Sequence, residues 1–326
     1  MRRFLLFGIV SVALVAAAGA ILFSQSSQQE PPQHTMSFGG HQRSYLVHLP
    51  PQVLQPGKLP LVLVFHGGGG SAGQIVRASG FAQLADRHGF LAVFPQGVNK
   101  HWNDGRKSEV FAQQDRRIDD VAWIRALVEK LKRDYPVDPR RIYAVGISNG
   151  GMFCQRLAVE LSDQLAAVAS LTASLPEPLK HATPKAPVAV MLINGTADPL
   201  LPYQGGEVTI RPLLGRLGRQ LPLRSRGRVI STEETIRYWV RHNGTKPKPH
   251  ITRLPDTDPQ DGCRVEVHRW SGGRGGTEVV LYKVIGGGHG WPGGSQYLGV
   301  DRIGHVCQDF DATKAIWQFF ARHRKK

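Results

Sequence analysis

The chain has 326 residues, 41% of them hydrophobic and 20% charged, so it can build a sizeable core in one large α/β domain or two small ones. Its formal net charge is +16, but no zinc-finger, helix-turn-helix or RNA-binding signature is present, and we exclude a nucleic-acid partner. Much of the excess is local, with six arginines and no acid from Arg211 to Arg228, which favours a solvated basic loop with at most weak attraction to an anionic surface.

The N-terminus has the layout of an export signal. Arg2 and Arg3 precede an uncharged apolar stretch from Phe4 to Phe23, and a polar run follows from Ser24 to Glu30. Alanines at positions 16, 18 and 20 offer cleavage sites, although the stretch also matches the ~20 residues that a membrane span needs. Residues 1–30 are therefore predicted to be a cleaved signal peptide, or alternatively an uncleaved anchor, plus a spacer. Either prediction places the following chain outside the cytoplasm, as a secreted or periplasmic protein or a membrane-anchored one with an exported domain.

Short apolar strands alternate with amphipathic helices along the rest of the chain. In the first half, the predicted strands are SYLVHLP, LPLVLVF, FLAVFPQG and RIYAVGI, and the predicted helices are FAQLADRHG, DDVAWIRALVEKLKRDYP and GGMFCQRLAVEL. The second half continues with LAAVASLTAS, APVAVMLIN, the helix STEETIRYWVRH, the strands CRVEVHRW and TEVVLYKVI, and the helix DATKAIWQFFARH. This alternation predicts a mostly parallel sheet with helices on both faces, in one domain of residues 35–324. No long apolar insertion is available to form a large lid.

The segment AVGISNGGMF contains the pattern Gly-x-Ser-x-Gly at Gly146, Ser148 and Gly150, between a predicted strand and a predicted helix. A sharp strand-to-helix turn lifts a serine hydroxyl above the sheet, and small residues on either side make room for the strained backbone. The position of the motif predicts that Ser148 is an exposed nucleophile.

Two loops further along the chain supply an acid and a base. Asp198 lies in a polar turn after the buried strand VAVMLIN, and His289 lies in a glycine-rich loop after VVLYKVI. Serine, then aspartate, then histidine is the chain order of the catalytic triad on an α/β-hydrolase sheet. An isolated aspartate of this kind is usually a turn former, but together with Ser148 and His289 it favours a triad in which Asp198 orients the base.

Ester hydrolysis also needs hydrogen-bond donors for the negative charge that develops on the carbonyl oxygen. The run FHGGGG follows a buried strand and matches a loop that supplies such donors, so we predict the amides of Gly68 and Asn149 as the oxyanion hole. Trp291, close to His289, and Trp102, in another loop, are predicted to bind substrate at the cleft rim, with packing against the loops as the alternative.

Three cysteines are present, and Cys154 falls inside a predicted helix, where a buried thiol is the ordinary outcome. Cys263 and Cys307 are therefore the disulfide candidates. The chain has no C-x-x-C, H-E-x-x-H, calcium-loop or phosphate-loop pattern, so no metal and no cofactor are predicted.

Seven motifs occur in order over nearly the whole region after the spacer: HGGGGSAG, WNDGR, DDVAWI, GISNGGM, NGTADPLLPY, ETIRYW and GGGHGWPGG. In these the chain resembles the secreted polyhydroxybutyrate depolymerase and feruloyl esterase family, the carbohydrate esterase family 1 type of α/β-hydrolase. The resemblance implies Ser148 as nucleophile, Asp198 as triad acid and His289 as base, and members act on polyesters, feruloylated or acetylated polysaccharides, or short esters. The chain departs from the family in the arginine-rich segment after Asp198 and in HNGTKP, where relatives often carry a cysteine in place of the threonine.

The sequence thus predicts an exported serine esterase that hydrolyses polyester or polysaccharide-linked esters through an acyl-enzyme. One alternative is a serine peptidase of the prolyl oligopeptidase kind, which shares the fold and the triad order but carries a large N-terminal propeller that is missing here. The other is a non-catalytic basic cell-surface protein on a hydrolase fold, which the complete triad argues against.

Overall fold

The structure is a computed structural model that describes residues 30–326. The predicted signal or anchor, apart from Glu30, lies outside the described residues. Within the described part, no helix combines the length and apolar character needed to cross a membrane.

A ten-stranded sheet forms the centre of the described chain. In spatial order its strands are β1 (Gln33–Phe38), β2 (His41–His48), β4 (Leu91–Pro95), β3 (Leu59–Phe65), β5 (Val137–Ile147), β6 (Ala167–Leu171), β7 (Ala189–Gly195), β12 (Val279–Ile285), β11 (Arg264–Trp270) and β10 (His250–Arg253). The strands from β4 to β12 in this order are parallel to one another, and antiparallel strands extend the sheet on both sides. The carboxyl ends of the parallel strands therefore meet at one edge, where open α/β sheets bind their ligands.

Helices cover both faces of this sheet. One face carries α1 (Ala72–Ser79), α2 (Phe81–His88) and α9 (Ala312–Ala321), and the other carries α4 (Asp120–Asp134), α5 (Asn149–Glu160) and α7 (Thr232–Asn243). Successive side chains of β3 supply both cores, with Leu61 and Leu63 on one face and Val62 and Val64 on the other. The predicted α/β fold with helices on both faces is confirmed.

The shorter helices lie in the connections: α3 (Ala112–Asp115), α6 (Arg216–Gln220) and α8 (Val300–Ile303). Two short antiparallel strands, β8 (Gly206–Glu207) and β9 (Arg228–Val229), form a small hairpin, and the arginine-rich segment is the connection between them and ends at the start of β9. Val208 and Val229 of this hairpin pack on Met152 in the first turn of α5, on Ala173 after β6 and on Leu201. The hairpin therefore lies over the carboxyl edge of the sheet, beside the start of α5.

Candidate active site

Ser148 occupies a strained turn between β5 and α5. Its backbone dihedrals, φ 56° and ψ −123°, fall outside the conformations that a serine ordinarily adopts. A Cβ on Gly146 would lie 2.5 Å from the carbonyl carbon of Gly150, and one on Gly150 would lie 2.5 Å from the carbonyl oxygen of His66. The backbone crowding at both glycines explains why residues without a side chain flank the serine in this turn.

Asp198 and His289 form a buried hydrogen-bonded pair. His289 Nδ1 donates to Asp198 Oδ2 at 2.7 Å, while Asp198 Oδ1 accepts the amides of Leu200 at 2.8 Å and Leu201 at 2.9 Å. With both carboxylate oxygens engaged, Asp198 is fixed in position. The bond to Nδ1 leaves Nε2 of a neutral His289 as a proton acceptor.

The glycine-rich loop around His289 is packed backbone against backbone. The His289 amide donates to the Ile303 carbonyl at 2.5 Å, and the Tyr297 hydroxyl donates to the His289 carbonyl at 2.9 Å. A Cβ on Gly288 would lie 2.1 Å from the Ile303 carbonyl oxygen, so the loop can approach α8 this closely only with glycine at that position. These contacts hold the imidazole against Asp198.

Ser148 lies at the same edge of the sheet as this pair, because β5, β6, β7 and β12 are parallel and their carboxyl ends point the same way. Hydrogen bonds join the loops in sequence along the edge: Ser148 N to Leu171 O and Thr172 N to Ile193 O, each at 2.9 Å. Among residues 30–326 the Ser148 hydroxyl makes no hydrogen bond, so the structure joins His289 to Asp198 but does not join Ser148 to His289. In active sites without substrate this bond is often long and shortens in the complex.

The two predicted oxyanion donors lie next to each other. An ideal Cβ on Gly68 would be 3.5 Å from the Asn149 Cβ, and neither backbone amide has an acceptor within residues 30–326. Asn149 is the first residue of α5, where helix geometry leaves the amide without an intrahelical partner and the helix dipole favours negative charge. Both amides are therefore available to an anionic oxygen.

The glycine loop that carries Gly68 is held by His66, whose role the sequence did not indicate. His66 Nδ1 donates to the Gly67 carbonyl at 2.8 Å, and Nε2 accepts the Gly97 amide at 3.0 Å. Burial lowers the pKa of His66 to about 4, which keeps the ring neutral and preserves this donor and acceptor pair. The histidine in the motif is thus a positioning residue for the loop.

The predicted role of Trp102 in substrate binding is wrong. Its side chain is fully buried, stacks on Phe153 and Trp123, and donates from Nε1 to the His66 carbonyl at 3.0 Å. The ring fills the core under the active-site loops, and its backbone binds Asn149.

Trp291 also packs inside the protein instead of lining the catalytic cleft. It is 7% exposed, meets Phe81 edge to face and donates from Nε1 to Thr313 Oγ1 at 3.0 Å. Its remaining surface lines a cavity of about 350 Å³ between α2 and α9 that none of Ser148, Asp198 and His289 lines. The prediction of a rim aromatic is therefore wrong here as well, because the indole is used to attach the loop after His289 to these two helices.

The predicted disulfide is absent, although its two cysteines do lie together. Cys263 and Cys307 are buried free thiols whose sulfurs lie within 4.8 Å of each other, and Cys263 Sγ donates to the Asp261 carbonyl at 3.4 Å. With Asp261 they form the only cluster of candidate metal ligands within the described residues. The oxygens of Asp261 accept the amides of Cys263 at 2.7 Å and Gln308 at 2.6 Å, so this carboxylate ties the start of β11 to the chain near Cys307. The thiol pair is held by this non-covalent connection.

Comparison with known proteins also indicates ester hydrolysis. The family model described as Esterase PHB depolymerase, where PHB is polyhydroxybutyrate, matches residues 43–200. NocK of Nocardia uniformis subsp. tsuyamanensis, which is named as an esterase, is 36% identical over 261 residues, covering 78% of this chain and 72% of that protein.

More distant relatives are named as feruloyl esterases or as polyhydroxyalkanoate depolymerases. Feruloyl esterase B of Piromyces equi is 26% identical over 76% of this chain and 42% of its own length. Poly(3-hydroxyalkanoate) depolymerase C of Paucimonas lemoignei is 24% identical over 86% of this chain and 66% of its own length. The chain thus spans under half of the first and about two thirds of the second.

Among solved structures, an acetyl xylan esterase from Aspergillus awamori superimposes with a TM-score of 0.57 at 13% identity, over 89% of this chain and 99% of that one. At this identity the similarity concerns the fold, which is that of the α/β-hydrolase esterases.

Proposed function

The chain belongs to the Esterase PHB depolymerase family and is a carboxylic ester hydrolase, and we propose that it is an exported serine esterase that works through a covalent acyl-enzyme formed on Ser148. The observation that carries the proposal is the buried pair of His289 and Asp198, at the same sheet edge as the strained Ser148 turn and its two unpaired amides.

In the proposed mechanism, His289 Nε2 removes the proton from the Ser148 hydroxyl as its oxygen attacks the ester carbonyl. Asp198 holds the imidazole by its Nδ1 and stabilises the positive charge that the ring acquires. The amides of Gly68 and Asn149 bind the oxyanion, and each such donor is worth on the order of 3 kcal/mol in the transition state. Protonated His289 gives its proton to the leaving alcohol, and water then releases the acid by the same steps.

The proposed substrates are polyesters of the hydroxyalkanoate kind or feruloyl and acetyl esters linked to polysaccharide. The names of the relatives support both classes. Export is proposed from the sequence of residues 1–30 alone.

The nucleophile is tested by Ser148→Ala. The wild-type protein is expected to hydrolyse 4-nitrophenyl butyrate and to be labelled by a fluorophosphonate, and the variant is expected to lose both. Unchanged hydrolysis by the purified variant would exclude Ser148 as the nucleophile. Release of product from polyhydroxybutyrate, methyl ferulate and acetylated xylan, compared at equal enzyme concentration, then identifies the substrate class.

A further inference from the structure

Arg106 and Arg226 lie close together, and only Arg106 has an acidic partner, Asp104. We infer that Arg226, supported by Arg106, forms a subsite for an anionic group of the ester substrate, a carboxylate in the acyl or the alcohol part. The inference rests on the proposed esterase function and adds a substrate class to it.

Arg226 has no acidic partner within residues 30–326. Its side chain is half-buried, and its guanidinium carbon lies 5.5 Å from the centre of the Phe111 ring. Glu207 accepts the backbone amide of Arg226 at 2.8 Å but makes no ion pair with its guanidinium. A guanidinium that is partly removed from water without a carboxylate is costly unless an anion binds it.

Arg106 adds a second positive charge behind the first. It is buried, and its Nε lies 2.8 Å from Asp104 Oδ2. That carboxylate is also the acceptor of Asn149 Nδ2 at 2.6 Å, so Asp104 is engaged by Arg106 and by an amide and makes no ion pair with Arg226. Burial, and then the charge of Arg106, lower the pKa of Arg226 to about 10, at which it is still charged at neutral pH.

The cluster is connected directly to the catalytic residues. Asp104 bridges Arg106 and Asn149, which follows the proposed nucleophile and offers the oxyanion amide. Gly227 rests on the loop of Arg106, since a Cβ there would lie 2.6 Å from the Arg106 carbonyl oxygen. The hairpin of β8 and β9 that positions Arg226 packs on Met152, in the first turn of the same helix. The unpaired charge is therefore carried by a segment that packs on the loop of Arg106 and on the first turn of α5, the helix that begins directly after Ser148.

An anionic group of a bound ester can pair with the guanidinium of the half-buried Arg226 through two parallel N–H donors, the geometry that suits a carboxylate. This pairing favours esters of dicarboxylic acids or of alcohols that bear a carboxylate over their neutral counterparts.

Two matched ester pairs test the inference and identify the side on which the charge lies. On the acyl side, kcat/KM is compared between mono-4-nitrophenyl glutarate, which is charged, and 4-nitrophenyl pentanoate, which is neutral. On the alcohol side, kcat/KM is compared between the charged 4-carboxyphenyl acetate and the neutral 4-carbamoylphenyl acetate. Arg226→Gln is expected to lower the charged-to-neutral ratio at least about tenfold in one of the pairs. Arg226→Lys is expected to retain part of the ratio, and Arg224→Gln, an exposed arginine of the same segment, to leave it unchanged.

A ratio that Arg226→Gln leaves unchanged in both pairs, or an equal loss on charged and neutral esters, overturns the subsite. Binding gives a readout without turnover: monomethyl glutarate for the acyl side, or 4-carboxyphenyl acetate for the alcohol side, is expected to raise the Tm of Ser148→Ala, and the added Arg226→Gln change to abolish that rise. A Tm of Ser148→Ala that rises with neither compound also counts against the subsite. Wild-type protein that hydrolyses none of the four esters contradicts the proposed function instead, and the Tm measurement still decides the subsite.

Discussion

Asn149 Nδ2 donates to Asp104 Oδ2 at 2.6 Å, and this buried bond joins the nucleophile turn to the loop that begins at His101. The same side chain exchanges hydrogen bonds with the backbone of Trp102, accepting its amide at 2.8 Å and donating to its carbonyl at 2.9 Å. The residue that offers the oxyanion amide is thereby fixed by three bonds from one neighbouring loop. The sequence motif WNDGR is explained by this connection and not by substrate binding.

Removing the carboxylate should show how much this connection contributes. Asp104→Ala leaves the buried Arg106 without its acid and Asn149 without one acceptor, so we expect the free energy of unfolding to fall by about 3 kcal/mol and kcat to fall with it. Urea unfolding and ester hydrolysis measure the two effects. Asp86→Ala, which removes a partly exposed pair with His48, is the control and should cost less than ~1 kcal/mol. An equal effect of the two substitutions would contradict the prediction.

The fold was predictable where strands are buried on both faces. The continuous apolar runs of β3, of β7 and of the second half of β5 are recognisable in the sequence because no side of these stretches faces water. The edge strands β1 and β10 were missed, since their residues are mostly exposed and carry no apolar run. Helix α1 was missed because it follows directly on the glycine loop, with Ser71 as its N-cap.

For the candidate site, chemistry and chain order limit the choice of residues in the sequence. Ser148, Asp198 and His289 each follow a strand of the parallel sheet, and the sheet geometry places them at one edge. The two tryptophans were misassigned because an indole near a catalytic loop has the same sequence context whether it faces substrate or core. His66 was passed over for the related reason that its function depends on burial and on Gly97, a distant residue.

Gly150 is predicted to tolerate no side chain. Gly150→Ala would place a Cβ 2.5 Å from the His66 carbonyl oxygen, so backbone must shift, and we expect a loss of about 3 kcal/mol in unfolding free energy together with most activity. Gly68→Ala is the matched control for stability, because its Cβ would lie 3.5 Å from the Asn149 Cβ, an ordinary contact. Denaturant unfolding of both variants measures the difference, and an unchanged midpoint for Gly150→Ala would contradict the packing of the turn.

The three cysteines are expected to react with a thiol reagent only after unfolding, because all of them are buried. Burial raises the pKa of Cys154, and the neighbouring Cys307 thiol together with burial raises the pKa of Cys263, so neither is a reactive thiolate at neutral pH. Ellman's reagent should find almost no reactive thiol in the folded protein and three in guanidinium chloride. If only one thiol reacts in the denatured, unreduced protein, Cys263 and Cys307 form a disulfide in solution and the free-thiol assignment is wrong.

His66 should make stability fall in mildly acid solution. In the unfolded chain a histidine takes up a proton near its ordinary pKa of 6.5, whereas the folded protein resists protonation of His66 down to about pH 4. Its contribution is therefore complete above pH 6.5 and is lost as the pH falls towards 4, an effect of about 3 kcal/mol between these limits. Urea unfolding at pH 7, 5.5 and 4.5 measures it, and in His66→Gln this part of the pH dependence should disappear, while the exposed His41→Gln should retain it. Parallel curves for the wild type and His66→Gln would show that the buried ring does not resist protonation, and the neutral donor and acceptor pair assigned to the glycine loop would then be wrong.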